Sequence, residues 1–182
     1  LLGPKLEPFE VAGVNAILSA LDGAPLSHAA YALATAHHET AHTMQPVKEY
    51  GGDAYFFRMY DINGNRPEVA RRLGNTAPGD GVRFCGRGYV QLTGRANYQR
   101  ATTALGLVLS LVDHPEDAQN GDIAATIMRR GMEEGWFTGK RFSSYLPAQG
   151  PATFQAFKDA RRIINGTDRA ADIAGYAISF QD

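Results

Sequence analysis

The chain has 182 residues, 44% of them hydrophobic and 20% charged, with a formal net charge of −1. That length suits a single domain over 1–182 with a sizeable core, and the near-neutral balance excludes the basic stripe of a nucleic-acid binder and the polybasic patch of a membrane-surface protein. There is no apolar run of about 18 residues, so no stable membrane insertion is expected.

In chain order, residues 8–22 read as an amphipathic helix, with Val14, Ile17, Leu18 and Leu21 on one stripe and Gly23 as its stop. Ser27 is expected to cap a second helix reaching about Met44, where Pro46 ends it. Alanines 29, 30, 32, 34 and 36 suit close packing, which places this helix centrally. Residues 45–66 read as a long ordered loop, carrying Gly51-Gly52, Asn63-Gly64-Asn65 and the aromatics Tyr50, Tyr55, Phe56, Phe57 and Tyr60. A short helix follows Pro67 and ends near Gly74, and a glycine-rich loop runs over 74–88. Tyr89 to Leu92 read as a brief extended piece. Helices are expected at about 95–105, 122–136, 153–164 and 168–180, with Asp122, Thr153 and Asp168 as N-caps and Gly106 and Gly166 as stops. Met128, Met132 and Trp136 fall on one core stripe, as do Ile173, Tyr176, Ala177 and Phe180. Arg71-Arg72 and Arg161-Arg162 read as solvated helix faces. Strand signals are few, so the fold class is mainly α.

With one cysteine, Cys85, no intramolecular disulfide forms, and Cys85 reads as a small buried hydrophobe. The opening Leu1-Leu2-Gly3-Pro4 lacks a basic segment followed by an apolar one, so no signal peptide is expected.

Three segments carry candidate chemistry. In His37-His38-Glu39-Thr40-Ala41-His42, a carboxylate on an apolar, alanine-rich helix is costly to bury ionised, which suits a general acid; it equally suits a structural Glu–His pair. His38 to His42 also matches H-E-x-x-H, which on a continuous helix puts two histidines on one face for zinc, with Glu39 as base; no third ligand stands in the expected extension. Glu49 lies ten residues beyond Glu39 and is either a second carboxylate of a glycosidase pair or a surface residue paired with Lys48 or an arginine. From Gly86 to Tyr98, Gly86 and Gly88 flank Arg87, and Gln91, Thr93, Asn97 and Tyr98 supply neutral hydrogen-bonding groups suited to sugar hydroxyls; Thr93 alternatively caps a helix. Aromatics of residues 50–60 either stack on sugars or pack the loop.

The stretch Gly86-Arg87-Gly88-Tyr89-Val90-Gln91-Leu92-Thr93-Gly94-Arg95-Ala96-Asn97-Tyr98 closely resembles the signature of family 19 glycoside hydrolases, which include chitinases and many phage endolysins. His38-Glu39-Thr40 resembles the family's acid-bearing segment, Val47-Lys48-Glu49-Tyr50 an endolysin segment with the second carboxylate, and Arg161-Arg162-Ile163-Ile164-Asn165-Gly166 a late segment of the fold. The resemblance runs from about residue 29 to 178.

The resemblance implies a lysozyme-like helical domain with a catalytic cleft. Glu39 would be the general acid, Glu49 the general base, and Thr93 would help hold the attacking water. Gln91, Asn97 and Asn165 match sugar-binding groups; Tyr98, Arg87 and His38 belong to the same motifs and are further candidates for substrate binding. The family inverts configuration and uses no metal or other cofactor, so none is expected here. Plant chitinases place the base further from the acid and use disulfides; this chain has the shorter, endolysin-like spacing. The expected substrate is therefore a β-1,4-linked polymer of N-acetylated amino sugars, with peptidoglycan ahead of chitin. The expected setting is a monomer made in a bacterial cytoplasm, of phage or prophage type, acting on the cell wall. A catalytically inactive glycan-binding module and the zinc hydrolase remain as alternatives.

Overall fold

The computed structural model describes residues 6–182. It is mainly α, with nine α-helices and one two-stranded ribbon among the described residues. The chain forms two compact units, one of residues 6–45 and 125–182 and one of Pro46–Ala124.

In the first unit, α1 spans Pro8–Ala20 and α2 Leu26–Glu39; α8 spans Phe154–Ala160 and α9 Ala170–Gln181. The alanine-rich composition of α2 is explained by its surroundings: Ala30, Ala32, Ala34 and Ala36 are buried, and α2 packs directly on α9 through Ile173, Ala174 and Ala177. Tyr31 crosses this core and donates its hydroxyl to the Ala160 carbonyl at 2.8 Å. On α1 the buried residues are Gly13 and Ile17, with Leu21 buried at its C-cap, whereas Leu18, expected on the buried stripe, is 45% exposed. Gly13 faces the Met44 carbonyl so closely that a Cβ there would lie 1.7 Å from the oxygen.

The second helix ends five residues before the expected Met44, and Pro46 does not end it. Its C-cap is Thr40, and the His42 amide donates to the His37 carbonyl at 2.8 Å while the Ala41 amide donates to His38 at 3.3 Å. This is a Schellman turn with alanine, at φ 50°, where glycine is usual. Ser27 is not the cap; Pro25 holds that place, and the Ser27 hydroxyl donates to the Pro147 carbonyl.

In the second unit, β1 (Val47–Lys48) pairs antiparallel with β2 (Arg87–Gly88), Val47 opposite Gly88 and Lys48 opposite Arg87. The segment expected to be a loop thus contains β1 and also α3, Asp53–Tyr60, which buries Phe56. Helices α4 (Pro67–Arg72) and α5 (Asp80–Arg83) pack on α3, and α6 runs over Arg95–Leu105 to a left-handed Gly106. Tyr89 to Gln91 form a turn rather than an extended piece, because Leu92 bridges back to Arg87 and closes a hairpin. A half-buried ion pair, Arg95 to Asp80 through two contacts at 2.9 and 2.6 Å, ties α6 to α5.

Helix α7, Gly121–Glu134, is capped by the Asn120 side chain, which accepts from the Asp122 and Ile123 amides, so Asp122 is not the cap. Met128 and Met132 are buried as expected, but the helix stops before Trp136, which is half-buried in the following turn. Thr153 caps α8 as expected, through the Ala156 amide. Residues 161–163 tighten into a 3₁₀ turn, and Arg169, not Asp168, precedes α9. In α9, Ile173 and Ala177 are buried and Tyr176 and Phe180 half-buried.

Candidate functional site

The first group of candidate residues lies at the end of α2. Glu39 is its last residue, and its side chain keeps 22% exposure. One oxygen accepts from Arg161 Nη1 at 2.6 Å, and Arg161 is 3% exposed. The Arg161 Nε donates to the Asp168 carbonyl at 3.0 Å, so the guanidinium is fixed on both sides. The reading of Arg161 as a solvated residue is therefore wrong, although Arg162 beside it is exposed. A buried guanidinium needs a partner, and the carboxylate at the end of α2 supplies it. Only the apolar residues flanking Arg161, Ala160 and Ile163, hinted at this.

Asn165 sits in the same turn, its amide donating to the Arg161 carbonyl at 3.0 Å. It is exposed, and its side-chain oxygen accepts from the Gly166 amide at 2.9 Å. His38 is half-buried; burial chiefly lowers its pKa, against the upward pull of Glu39. His37 and His42 stack at 4.2 Å, with Tyr176 edge-on to both. Burial, assisted by His42, lowers the His37 pKa to about 4, so His37 is neutral near pH 7.

This geometry removes the shared helical face on which the zinc reading relies. Because α2 ends at Glu39, His42 is not on a helical face with His38; at φ 70° it turns back onto His37. Among the described residues no group of three histidine, cysteine or acidic side chains is placed to hold a metal.

The second group surrounds Glu49, just beyond β1. The Glu49 amide donates to the Gly86 carbonyl at 2.8 Å, and the Gly86 amide donates back to Glu49 Oε2 at 3.1 Å. Tyr60 on α3 donates its hydroxyl to Glu49 Oε1 at 2.8 Å. The alternative of an ion pair with Lys48 is absent; Lys48 instead lies over the Phe56 ring, 5.4 Å from its centroid. A Cβ at position 86 would fall 2.6 Å from Gln91 Oε1 and 3.1 Å from Glu49 Oε2, which explains the glycine.

Gln91 takes φ 54° at the hairpin tip and reaches back to the Val47 carbonyl at 3.2 Å. Its own carbonyl accepts from the Thr93 hydroxyl at 2.8 Å. Thr93 is not a helix cap, since Gly94 holds that place; with its proton so directed, its oxygen is oriented as an acceptor. Asn97 donates to the Thr93 carbonyl at 2.7 Å. Glu49, Gly86, Gln91, Thr93 and Asn97 are thus linked by one hydrogen-bonded hairpin.

Arg87 and Tyr98 are corrections. Tyr98 is fully buried, donating to the Cys85 carbonyl at 2.8 Å and accepting from Arg87 Nη1 at 2.9 Å. Arg87 also donates to the Arg83 carbonyl. Both are buried, with the Tyr98 hydroxyl and Arg87 Nη1 engaged inside the unit while Arg87 Nε has no partner among the described residues, so they hold the hairpin and do not line a surface for sugar. Cys85 is buried as expected, and burial raises its thiol pKa. The aromatics of 50–60 divide: Phe56 is core, Tyr55 and Tyr60 are half-buried, and Tyr50 is 84% exposed.

No family model matches the sequence, and no curated protein matches it. Solved structures do. A chitinase C mutant is similar with a TM-score of 0.61 at 20% identity, over 98% of this chain and 69% of that one. Chitinase C from Streptomyces griseus HUT6037 gives 0.59 at 20% identity over the same shares. A bacterial family 19 chitinase, described as differing from plant enzymes, gives 0.56 at 23% identity, over 98% of this chain and 88% of that one. The resemblance read from the Gly86–Tyr98 block holds at the level of the fold: the chain has the mainly α, lysozyme-like architecture of family 19 chitinases.

Proposed function

We propose that this protein is an inverting glycoside hydrolase that cuts β-1,4 linkages in a polymer of N-acetylated amino sugars. The observation that carries this reading is Glu39: a partly exposed carboxyl at a helix end, held by a buried arginine, on a fold shared with chitinases along nearly the whole chain. The two candidate carboxyls also have different partners, a cation for Glu39 and neutral donors for Glu49.

In the reaction, Glu49 accepts a proton from water as the water oxygen attacks the anomeric carbon. The bond to the leaving oxygen breaks, and that oxygen takes the Glu39 proton. Arg161 then balances the carboxylate left on Glu39. Thr93 accepts a hydrogen bond from the attacking water. Both carboxyls return to their starting states by proton exchange with solvent, and one water is consumed. Direct attack by water on a β linkage inverts the anomeric carbon, so the first-formed reducing end has the α configuration.

Peptidoglycan is the first substrate, on the endolysin-like spacing of Glu39 and Glu49; chitin is the second reading, favoured by the similar solved structures being chitinases. The test is clearing of purified peptidoglycan and reducing-end release from chitin oligomers, by wild type and Glu39→Gln, with and without chelator. Glu39→Gln is expected to lose ~10²–10⁴-fold in turnover with the fold intact, and chelator to have no effect. Glycan binding without bond cleavage by wild type would replace the enzyme with a binding module.

A further inference from the structure

The hydrogen bond from Tyr60 to Glu49 lies outside the Gly86–Tyr98 block and outside both acid-bearing motifs. Tyr60 is the last residue of α3 and is held at three points. Its ring lies nearly parallel to buried Phe56, with centroids 6.5 Å apart, and edge-on to Tyr55 at 6.4 Å. Its carbonyl accepts from the Asn75 side chain at 2.9 Å, and the same fully buried Asn75 accepts from the Arg95 amide at 2.8 Å. The start of α6, Asn75, the end of α3 and the Glu49 carboxylate therefore form one connected chain of contacts. Glu49 forms no ion pair among the described residues. Its orientation rests on one donor per oxygen, the Tyr60 hydroxyl and the Gly86 amide.

We infer that Tyr60 is a positioning residue for Glu49: its hydroxyl, anchored through Asn75 and Phe56, fixes the rotation of the carboxylate and keeps it an acceptor, so that one lone pair on each oxygen stays aimed for water. This rests on the reading of Glu49 as the base. A carboxylate oxygen accepts two hydrogen bonds, so a single donor on each leaves capacity for the nucleophile. The phenol cannot become a competing base, because burial and the adjacent Glu49 push its pKa above the ordinary tyrosine value.

The experiment is Tyr60→Phe, which keeps the ring stacked on Phe56 and removes only the hydroxyl. On the glycan substrate, kcat is expected to fall about tenfold with KM nearly unchanged, the size of one lost hydrogen bond to a charged group. The acid limb of the kcat profile is expected to move to higher pH. The Gly86 amide resonance, which reports on Glu49 Oε2 without any substrate, is expected to show its titration midpoint moving the same way and to lose the titration in Glu49→Gln. A pH profile and a Gly86 midpoint that both superpose on wild type, whatever the change in Tm, would overturn the inference and leave Tyr60 as packing alone. A Gly86 midpoint that moves in a wild-type background inactive on every glycan would overturn the enzyme reading while establishing the hold of Tyr60 on Glu49.

Discussion

Glu39 and Glu49 are the same residue type held in two different ways. Glu39 ends a helix and meets a buried guanidinium; Glu49 follows a two-residue strand and meets a phenol and a backbone amide. Removing a charge partner strands a buried or half-buried ion, whereas removing a neutral donor weakens one bond and leaves water to replace it. The backbone differs as well. Ala41, His42 and Met44, just after Glu39, all take positive φ without being glycine, while the hairpin beside Glu49 has glycine at its left-handed position 88 and a single such non-glycine, Gln91, at its tip. Such strain persists only where surrounding contacts fix it. Here Thr40 does so, donating to the Ala36 carbonyl and accepting from the Met44 amide.

The contrast gives a ranking of effects. Arg161→Met is expected to cost roughly 3 kcal/mol of stability, the lower end for breaking a buried pair because Glu39 remains partly solvated. Urea unfolding checks this, and the double variant with Glu39→Gln should lose less than the sum of the single losses. Tyr60→Phe is expected to cost about 1.5 kcal/mol by the same measurement, because a neutral donor is lost. A loss equal to that of Arg161→Met would erase the distinction between the two settings.

A smaller effect concerns pH. His37 has a folded pKa of about 4 against the ordinary value of 6.5, so between these values the unfolded chain binds more protons. The stability due to neutral His37 is therefore complete above pH 6.5 and lost as pH falls toward 4. His37→Leu is expected to flatten the fall of Tm over that window. Smallest of all, Ala41→Gly is expected to raise stability by about 0.5–1 kcal/mol by relieving the left-handed alanine, with the gain read from the urea midpoint.

Most helices were legible because their signals are local: the stripe of α1, Thr153 before α8, Gly106 after α6. The end of α2 was not, since a Schellman turn with alanine leaves no glycine to mark it, and Pro46 offered a misleading stop. Helix α3 was hidden because four of its eight residues are aromatic and glycines and asparagines flank it. Of the candidate site, Glu39, Glu49, Gln91, Thr93 and Asn97 keep partial exposure, whereas Arg87 and Tyr98 are buried. Arg161 escaped because its partner lies 122 residues away in the chain; Tyr60 escaped because an aromatic-rich segment does not reveal which hydroxyl is used.

The division of labour between the two carboxyls is tested most directly with an activated substrate, an N-acetylated amino-sugar oligomer carrying a dinitrophenyl leaving group. Such a group departs without being protonated, so it bypasses the acid but not the base. Glu39→Gln should recover most of the wild-type rate on this substrate, while Glu49→Gln stays as slow as on the natural glycan. Recovery by Glu49→Gln and none by Glu39→Gln would reverse the assignment, and recovery by neither would contradict the acid–base pair itself.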